Sequence, residues 1–180
     1  MALRVRSAIG ADAAACAEIY RPYVLDTVIT FETEPPTVEE MAVRIAAARV
    51  KHEWLVLEID GDVAGYAYAH QFNSRAAYQW SVETSVYMAQ DRLRVGGGRM
   101  LYAELLDRLA GCGYRRAFAG IAQPNDASNA LHEAFGFQPV GRYRRVGFKL
   151  GAWHDVEWWQ LDLVAPHDEI DPPTEIAVRQ

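Results

Sequence analysis

The sequence predicts a single α/β domain in which a central, mixed and mostly antiparallel twisted sheet carries helices on both faces. A chain of 180 residues suits one domain, and a hydrophobic content of 51% is sufficient for a buried core. Strand-like and helix-like segments follow the order β-α-α-β-β-β-α-β-α-β-β. The hairpins in the middle require antiparallel pairs, whereas the helices between later strands allow crossovers on either face.

The first third of the chain is predicted to form one strand and two helices. Asp12 is expected to cap the first helix. A loop rich in Thr and Pro follows at residues 25–36, and Thr37 and Glu40 then form a capping-box pattern for the second helix. The predicted elements are a strand at 3–7 and helices at 12–23 and 37–50.

Three strands are predicted in the middle of the chain. Trp54–Ile59 is a continuous apolar run, and Asp60 and Gly61 form a hairpin turn after it. Residues 73–75 break the strand pattern before it resumes. The predicted strands are 54–59, 63–72 and 77–88.

Helices alternate with strands in the last part of the chain. A run of three glycines precedes a helix with Leu101, Leu105 and Leu109 at helical spacing, and Gly111 and Gly113 end that helix. The predicted elements are helix 99–109, strand 116–121, helix 127–135 and strands 140–148 and 156–163. We expect the domain to span residues 1–164 and residues 165–180 to form a loosely ordered tail.

Composition and charge narrow the class of protein. The net charge is -6, which disfavours a general nucleic-acid binder. Cys16 and Cys112 lie outside metal or redox spacings, so we expect buried free thiols. The sequence has neither a signal-peptide pattern nor an apolar run of membrane-spanning length, and we therefore expect a cytoplasmic protein.

The stretch "DRLRVGGGRM" follows a strand and opens a helix, which directs backbone N–H groups toward one point and suits a phosphate. A P-loop would need a Lys followed by a Ser or Thr after the glycines, and the stretch has neither. It also lacks the third glycine of the dinucleotide-binding fingerprint. A tight strand-to-helix turn without a ligand is the alternative.

The segment "PNDASNALHEAFGF" contains a short helix that Asn125 or Ser128 can cap. His132 lies on this helix between Leu131 and Phe135. Taken alone, a histidine in such a position is more often a partly buried packing residue than a catalyst.

Together, "RVGGGRMLYAELL", a strand and "LHEAFGF" resemble the acetyl-CoA-binding core of the GNAT superfamily of N-acetyltransferases. The motifs "TVITFETEP", "WSVETSVYM", "VGFKLGAWHDV" and "WWQLDL" are similar to the phosphinothricin N-acetyltransferase family. The resemblance covers the chain from the first helix to about Leu163. It implies the GNAT acyl-CoA N-acyltransferase fold and acetyl transfer from acetyl-CoA to an amine.

The resemblance also implies which residues hold acetyl-CoA. The pyrophosphate is expected on the amides of the loop at residues 93–98, where Leu93 replaces the usual Gln or Arg. The pantetheine arm is expected to pair with the strand before the loop. The implied cofactor-binding residues are Val86, Tyr87, Met88, Arg94, Val95, Gly96, Gly97, Gly98, Arg99, Asn125 and Ser128.

The implied catalytic residues are Glu83, as general base, and His132, as a proton-transfer or cofactor-side group. Apolar neighbours would raise the pKa of Glu83, although a glutamate on the solvent face of a strand is the alternative. A backbone N–H near Met88 is the expected oxyanion donor. Tyr102 is expected to be a packing residue.

The substrate-binding residues implied for the acceptor amine are Phe31, Thr33, Arg75 and Tyr78. For Arg75, a solvated arginine in a loop is the alternative. His154 and its neighbour Asp155 point to opposite faces of a strand, so we predict no metal site. The expected partners are a small amino-acid-like amine of the phosphinothricin, methionine sulfone or methionine sulfoximine type and a second copy of the chain, bound through the last strands. An acetyltransferase for another amine and a non-catalytic acyl-CoA sensor remain open.

Overall fold

The protein is described from a computed structural model that covers residues 2–93, 96–164 and 175–176. The predictions for Arg94 and Val95, and for most of the tail at residues 165–180, lie outside the described residues. Within them the predicted order of strands and helices is confirmed. The elements are β1 (Leu3–Ser7), α1 (Ala13–Asp26), α2 (Val38–Lys51), β2 (Trp54–Ile59), β3 (Asp62–Gln71), β4 (Ser81–Met88), α3 (Gly97–Gly111), β5 (Arg116–Gln123), α4 (Asp126–Ala134), β6 (Gln138–Lys149) and β7 (Ala152–Asp162).

One seven-stranded sheet carries all strands, in the order β1-β2-β3-β4-β5-β7-β6. Every described pair is antiparallel except β4 with β5, which is parallel. The chain reaches β5 from β4 through α3, as a parallel connection requires. The predicted mixed and mostly antiparallel sheet is confirmed.

Each face of the sheet carries its own buried cluster. One cluster packs α1 and α2 against the sheet, with Trp54, Tyr66 and Tyr87 as its large strand residues. The other packs α3 against the opposite face and includes Leu101 and Leu105. Because side chains alternate along a strand, odd-numbered residues of β4 face α1 and α2, and even-numbered residues face α3.

Local signals placed several helix and turn boundaries correctly. The Thr37 side chain accepts from the amide of Glu40, and the Glu40 carboxylate accepts from the amide of Thr37. The hairpin turn at Asp60 and Gly61 has positive φ at both residues, 52° and 100°. Cys16 and Cys112 are both buried thiols.

Several local predictions were wrong. The strand predicted at 156–163 begins four residues earlier, at Ala152. Asp12 occupies the N-cap position of α1 without capping it, because its carboxylate is taken by Arg6, 2.7 and 2.8 Å away. The strand predicted from residue 77 begins at Ser81, since Ala76–Tyr78 forms a 3₁₀ turn. The helix predicted from residue 99 begins two residues earlier.

Across the described residues, no helix is both long and apolar enough to span a membrane.

Candidate active site

A cleft opens in the sheet where β4 and β5 diverge. Their pairing is confined to Ser81–Glu83 against Arg116–Phe118 in the described structure. Beyond Glu83 the two strands separate and enclose a cavity of about 50 Å³. Its lining residues include Val86, Tyr87, Asn125, Ser128 and His132, all predicted from the sequence to contact the cofactor or the reacting groups.

The cleft edge of β4 presents backbone groups. The Ala89 amide donates to the Ala64 carbonyl across the β3–β4 pair. Antiparallel pairs alternate, so the amides of Val86 and Met88 point away from β3, toward the open edge. The Met88 carbonyl accepts from the Tyr23 hydroxyl at 2.7 Å. The strand therefore directs two amide donors into the cleft, and their pairing with a pantetheine arm stays a prediction.

The N-terminus of α3 lies next to this strand. Gly96 is its N-cap with φ of +77°, a conformation that glycine adopts without strain. Gly97 and Gly98, predicted as loop, form the first helical turn, and the Met88 side chain packs below Gly98. The Arg99 guanidinium lies 5.5 Å from the centre of the Phe135 ring. The first turn keeps free N–H groups and a positive dipole end, which suit an anion.

Asn125 caps α4 and is one of the two capping residues predicted for this helix. Its side-chain oxygen accepts from the Ser128 amide at 3.1 Å. Both residues line the cleft beside His132. The N-terminal turn of α4 thus forms the wall of the cleft opposite β4.

His132 is buried and fully hydrogen-bonded. Its Nδ1 lies 2.7 Å from the Ser128 carbonyl, which can only accept, so the proton is assigned to Nδ1. Its Nε2, 2.9 Å from the Tyr102 hydroxyl, then accepts from it. Burial lowers the pKa of His132, and the hydrogen bond to Ser128 offsets part of that effect. The ring is therefore neutral and has no proton directed at the cleft.

Tyr102 extends this chain to the sheet. Its hydroxyl lies 2.7 Å from the Thr84 hydroxyl, which is also 3.1 Å from the Phe118 carbonyl. Tyr102 was predicted to be packing alone, and its fully buried ring does pack, stacking on Phe137. The hydrogen-bond chain Thr84–Tyr102–His132 was missed, because spacings of 18 and 30 residues leave no sequence pattern.

Glu83 lies at the last β4 residue that still pairs with β5. Its side chain is 27% exposed, so the alternative of a freely solvated glutamate does not describe it. Burial raises the pKa of the Glu83 carboxyl, and the nearby His70 ring opposes that rise. A carboxylate whose pKa is raised binds a proton more readily, as a general base requires.

The loop after α1 reaches over the last strands. The Phe31 ring contacts Gly147 of β6 so closely that a Cβ atom there would overlap it. Its centre is 6.4 Å from that of His154. Thr33, two residues on, is exposed. The predicted acceptor residue Phe31 is therefore held against the sheet.

Buried polar contacts fix the same loop. The Thr30 hydroxyl lies 2.6 Å from the Tyr20 hydroxyl, and Lys149 donates to the Thr30 carbonyl at 2.7 Å. Arg44 donates twice to Glu32, at 2.7 and 2.9 Å. Burial lowers the pKa of Lys149, while the charge of Glu32 opposes that effect. Although Lys149 lies within one of the quoted motifs, its pairing with Thr30 has no sequence signature.

The other predicted acceptor residues lie on the β3–β4 connection. The Arg75 amide donates to the side chain of Asn73, and its exposed guanidinium has no ion-pair partner among the described residues. The Tyr78 ring is 39% exposed and its centre lies 5.8 Å from that of Phe72. Both side chains are accessible to a small molecule.

The adjacent pair His154 and Asp155 was predicted to be structural. His154 Nε2 lies 3.0 Å from the Lys149 carbonyl, and Asp155 accepts from the Arg145 amide at 2.8 Å. These contacts hold the β6–β7 hairpin.

A sheet that opens beside a partly buried carboxylate, with backbone amides directed into the opening, suits an enzyme of the acyltransferase type. The family model of the acetyltransferase (GNAT) domain matches residues 5–158. The chain belongs to the GNAT acetyltransferase family, which confirms the resemblance in its motifs.

Individual relatives agree with this assignment. The chain is similar to the phosphinothricin N-acetyltransferase of Streptomyces viridochromogenes, with 40% identity over 97% of this chain and 96% of that protein. It is 35% identical to the L-methionine sulfoximine/L-methionine sulfone acetyltransferase of Salmonella typhimurium, over 89% of this chain and 95% of the relative. The crystal structure of a phosphinothricin acetyltransferase from Sinorhizobium meliloti in complex with AcCoA superposes with a TM-score of 0.90, at 37% identity, over 97% and 95% of the two chains.

Proposed function

We propose that this protein transfers the acetyl group of acetyl-CoA to the amino group of a small amino-acid-like acceptor, with Glu83 as general base. The observation that carries the proposal is the Glu83 carboxyl, shielded from solvent where β4 leaves β5. The names of the relatives support the chemical class of both substrates.

The residues around the cleft fit acetyl-CoA. The amide of Met88 matches the peptide-like groups of the pantetheine arm, and the first turn of α3 suits the pyrophosphate. We assign Gly96, Gly97 and Gly98 to that phosphate site, with Arg94, Val95 and Arg99 beside it. When bound, acetyl-CoA supplies the acetyl group as an activated thioester.

The chain supplies proton transfer and orientation. An amine attacks only after its ammonium form has lost a proton, and Glu83 accepts that proton. The amide of Val86, which is nearer to Glu83 than that of Met88, is the donor we assign to the developing oxyanion. His132 keeps the wall of the cleft in place through Tyr102 and Thr84. We assign it this cofactor-side role because its neutral ring has no proton free to donate.

The acceptor side is assigned to Phe31, Thr33, Arg75 and Tyr78. The free guanidinium of Arg75 suits the carboxylate of an amino acid, because Arg binds carboxylates through paired N–H donors. Phe31, seated on β6, would enclose the side chain of the acceptor.

A panel of amines tests the function. Purified protein is incubated with acetyl-CoA and phosphinothricin, methionine sulfone, methionine sulfoximine, a polyamine or an N-terminal peptide, and released thiol is measured. We expect thiol release with the amino-acid analogues. Tight acetyl-CoA binding without release from any amine would identify an acyl-CoA sensor instead.

Two variants test the role of Glu83. Glu83→Gln should lower kcat by about 100-fold or more while leaving acetyl-CoA affinity nearly unchanged. The control Glu104→Gln changes a partly exposed glutamate on α3, which pairs only with Arg108 one turn away. Equal turnover of Glu83→Gln and wild type would remove Glu83 as the base.

We further propose that the enzyme is a cytoplasmic homodimer joined through the β6–β7 hairpin. The buried cysteine thiols suit a reducing compartment. The hairpin exposes an unusual number of large apolar side chains, namely Val140, Tyr143, Val146, Phe148, Leu150 and Trp153. Light scattering should give a dimer mass for the wild type and a monomer mass for a Phe148→Ser/Trp153→Ser variant.

A further inference from the structure

A histidine lies beside the proposed base, on the neighbouring strand and on the same face of the sheet. His70 of β3 is the direct register partner of Glu83 in β4. Directly paired residues of an antiparallel pair project to the same face, so both side chains lie on the face that carries α1 and α2. The distance from His70 Nε2 to Glu83 Oε2 is 3.9 Å. Nothing in the quoted motifs indicated His70.

The orientation of the His70 ring is set by its own strand. Nδ1 lies 3.1 Å from the carbonyl oxygen of Gln71, which can only accept a hydrogen bond. The proton of the neutral ring is therefore assigned to Nδ1. The lone pair of the neutral ring is then on Nε2, the atom that faces Glu83.

His70 is the more solvent-exposed member of the pair. The His70 side chain is 44% exposed, compared with 27% for Glu83. It borders an open cavity of about 380 Å³, which is also lined by Arg44, His52 and Tyr68. A proton that reaches the His70 ring can pass from there to bulk water.

Several titratable or charged groups face His70. Tyr68, from the same strand, places its ring centre 5.9 Å away. Arg44 and His52 border the cavity from α2 and its C-terminus, and Arg44 is paired with Glu32. Within this described set Glu83 is the carboxylate within 4 Å of the His70 ring.

We propose that His70 is the proton-transfer partner of Glu83, a positioning residue that acts through the carboxylate and carries the acceptor's proton to solvent. The proposal rests on the proposed function. A separation of 3.9 Å is closed by a small side-chain rotation or by one bridging water, and catalytic hydrogen bonds often shorten when substrate binds.

The protons balance over one turnover. The acceptor ammonium gives one proton to the Glu83 carboxylate and becomes the neutral amine. The Glu83 carboxyl passes that proton to Nε2 of His70, which becomes an imidazolium. The imidazolium releases one proton to water and returns to the neutral ring. Glu83 is then ionised again, ready for the next acceptor.

Four proteins test the coupling: wild type, His70→Gln, Glu83→Gln and the double variant. His70→Gln should lower kcat by about tenfold, with little change in the KM for acetyl-CoA, and should move the acidic limb of kcat/KM to higher pH. The limb moves upward because the charge of His70 lowers the pKa of Glu83. In the Glu83→Gln background, His70→Gln should cause no further loss.

Gln71→Ala is the matched control, since it changes the next, exposed residue of β3 and retains the backbone carbonyl that His70 uses. An unchanged acidic limb in His70→Gln would overturn the proposal, as would equal losses of kcat in both backgrounds. Acetylation by wild type and His70→Gln at equal rates would remove this inference and leave the proposed function intact.

A measurement without turnover keeps the two proposals separate. The side-chain carboxyl of Glu83 is followed by carbon NMR during a pH titration, with its resonance assigned by its loss in Glu83→Gln. In His70→Gln this resonance should titrate at higher pH than in the wild type. An identical titration would show that the two side chains are not coupled, whatever amine the enzyme acetylates.

Discussion

Glu83 and His132 lie on opposite faces of the same sheet, although both border the region where β4 and β5 diverge. Glu83 projects toward α1 and α2 with His70, whereas His132 is linked to the other face through Tyr102 and Thr84. Neighbouring residues of a strand point to opposite faces, so Glu83 and Thr84 connect one strand to both sides. The geometry separates the group proposed to accept a proton from the groups that shape the cofactor side.

Tyr102→Phe should loosen the cofactor side of the cleft. Loss of the hydroxyl leaves Nε2 of His132 without its partner and leaves the Thr84 hydroxyl only the Phe118 carbonyl, which should lower the free energy of unfolding by about 1–2 kcal/mol. We expect a larger rise in the KM for acetyl-CoA than in that for the acceptor. Denaturant unfolding and steady-state kinetics measure both, with Tyr143→Phe on the exposed face of β6 as control. A free energy of unfolding equal to that of wild type would contradict the buried hydrogen-bond chain Thr84–Tyr102–His132.

Glu83→Gln should stabilise the fold at neutral pH while it lowers turnover. Because burial raises the pKa of Glu83 in the folded state, ionisation costs the folded protein free energy that the unfolded chain does not lose. That contribution is absent below the unfolded pKa and grows as pH rises through the folded pKa. The melting temperature of Glu83→Gln should exceed that of wild type by a few degrees at most near pH 7 and equal it near pH 4. A lower melting temperature of the variant at pH 7 would contradict a destabilising carboxylate.

Gly147→Ala should impair acceptor binding. The added methyl group would overlap the Phe31 ring and push it from its place on β6. We expect the acceptor KM to rise by about tenfold and the KM for acetyl-CoA to stay within about twofold, because a misplaced contact mainly weakens the substrate that it touches. Gly141→Ala is the matched control, since a Cβ at Gly141 meets no atom within 4 Å. Equal acceptor KM values in the two variants would separate Phe31 from the acceptor site.

Leu93→Arg should tighten acetyl-CoA binding modestly. Leu93 is 50% exposed just before the N-terminus of α3, so replacing it does not open a cavity in the core. An exposed arginine near a phosphate should improve affinity by about threefold at low salt, and less at high salt. Calorimetry at two salt concentrations measures this, with Leu93→Gln as the uncharged control. A large loss of affinity in Leu93→Arg would mean that acetyl-CoA does not pass this residue.

Much of the fold could be predicted from local patterns. The capping box at Thr37 and Glu40 and the turn at Asp60 and Gly61 depend on residues at most three positions apart. The start of β4 could not be predicted from its residues, because the aromatic residues Tyr78 and Trp80 continue the strand-like pattern upstream of Ser81. The capping prediction for Asp12 failed for a related reason, since Arg6 of the neighbouring strand competes for its carboxylate.

The candidate site, like the fold, has features that the sequence predicts and features that only the tertiary structure reveals. The sequence alone determined the order of elements, the glycine run at the start of α3 and the motifs that indicate the family, since these depend on composition and short spacing. Only the tertiary structure decided that Glu83 faces His70 and that Tyr102 joins Thr84 to His132. Those contacts connect residues far apart in the chain, and the register of β3 with β4 and the packing of α3 and α4 bring them together. Burial then sets the direction of each pKa shift, because desolvation depends on what covers a side chain, which no spacing records.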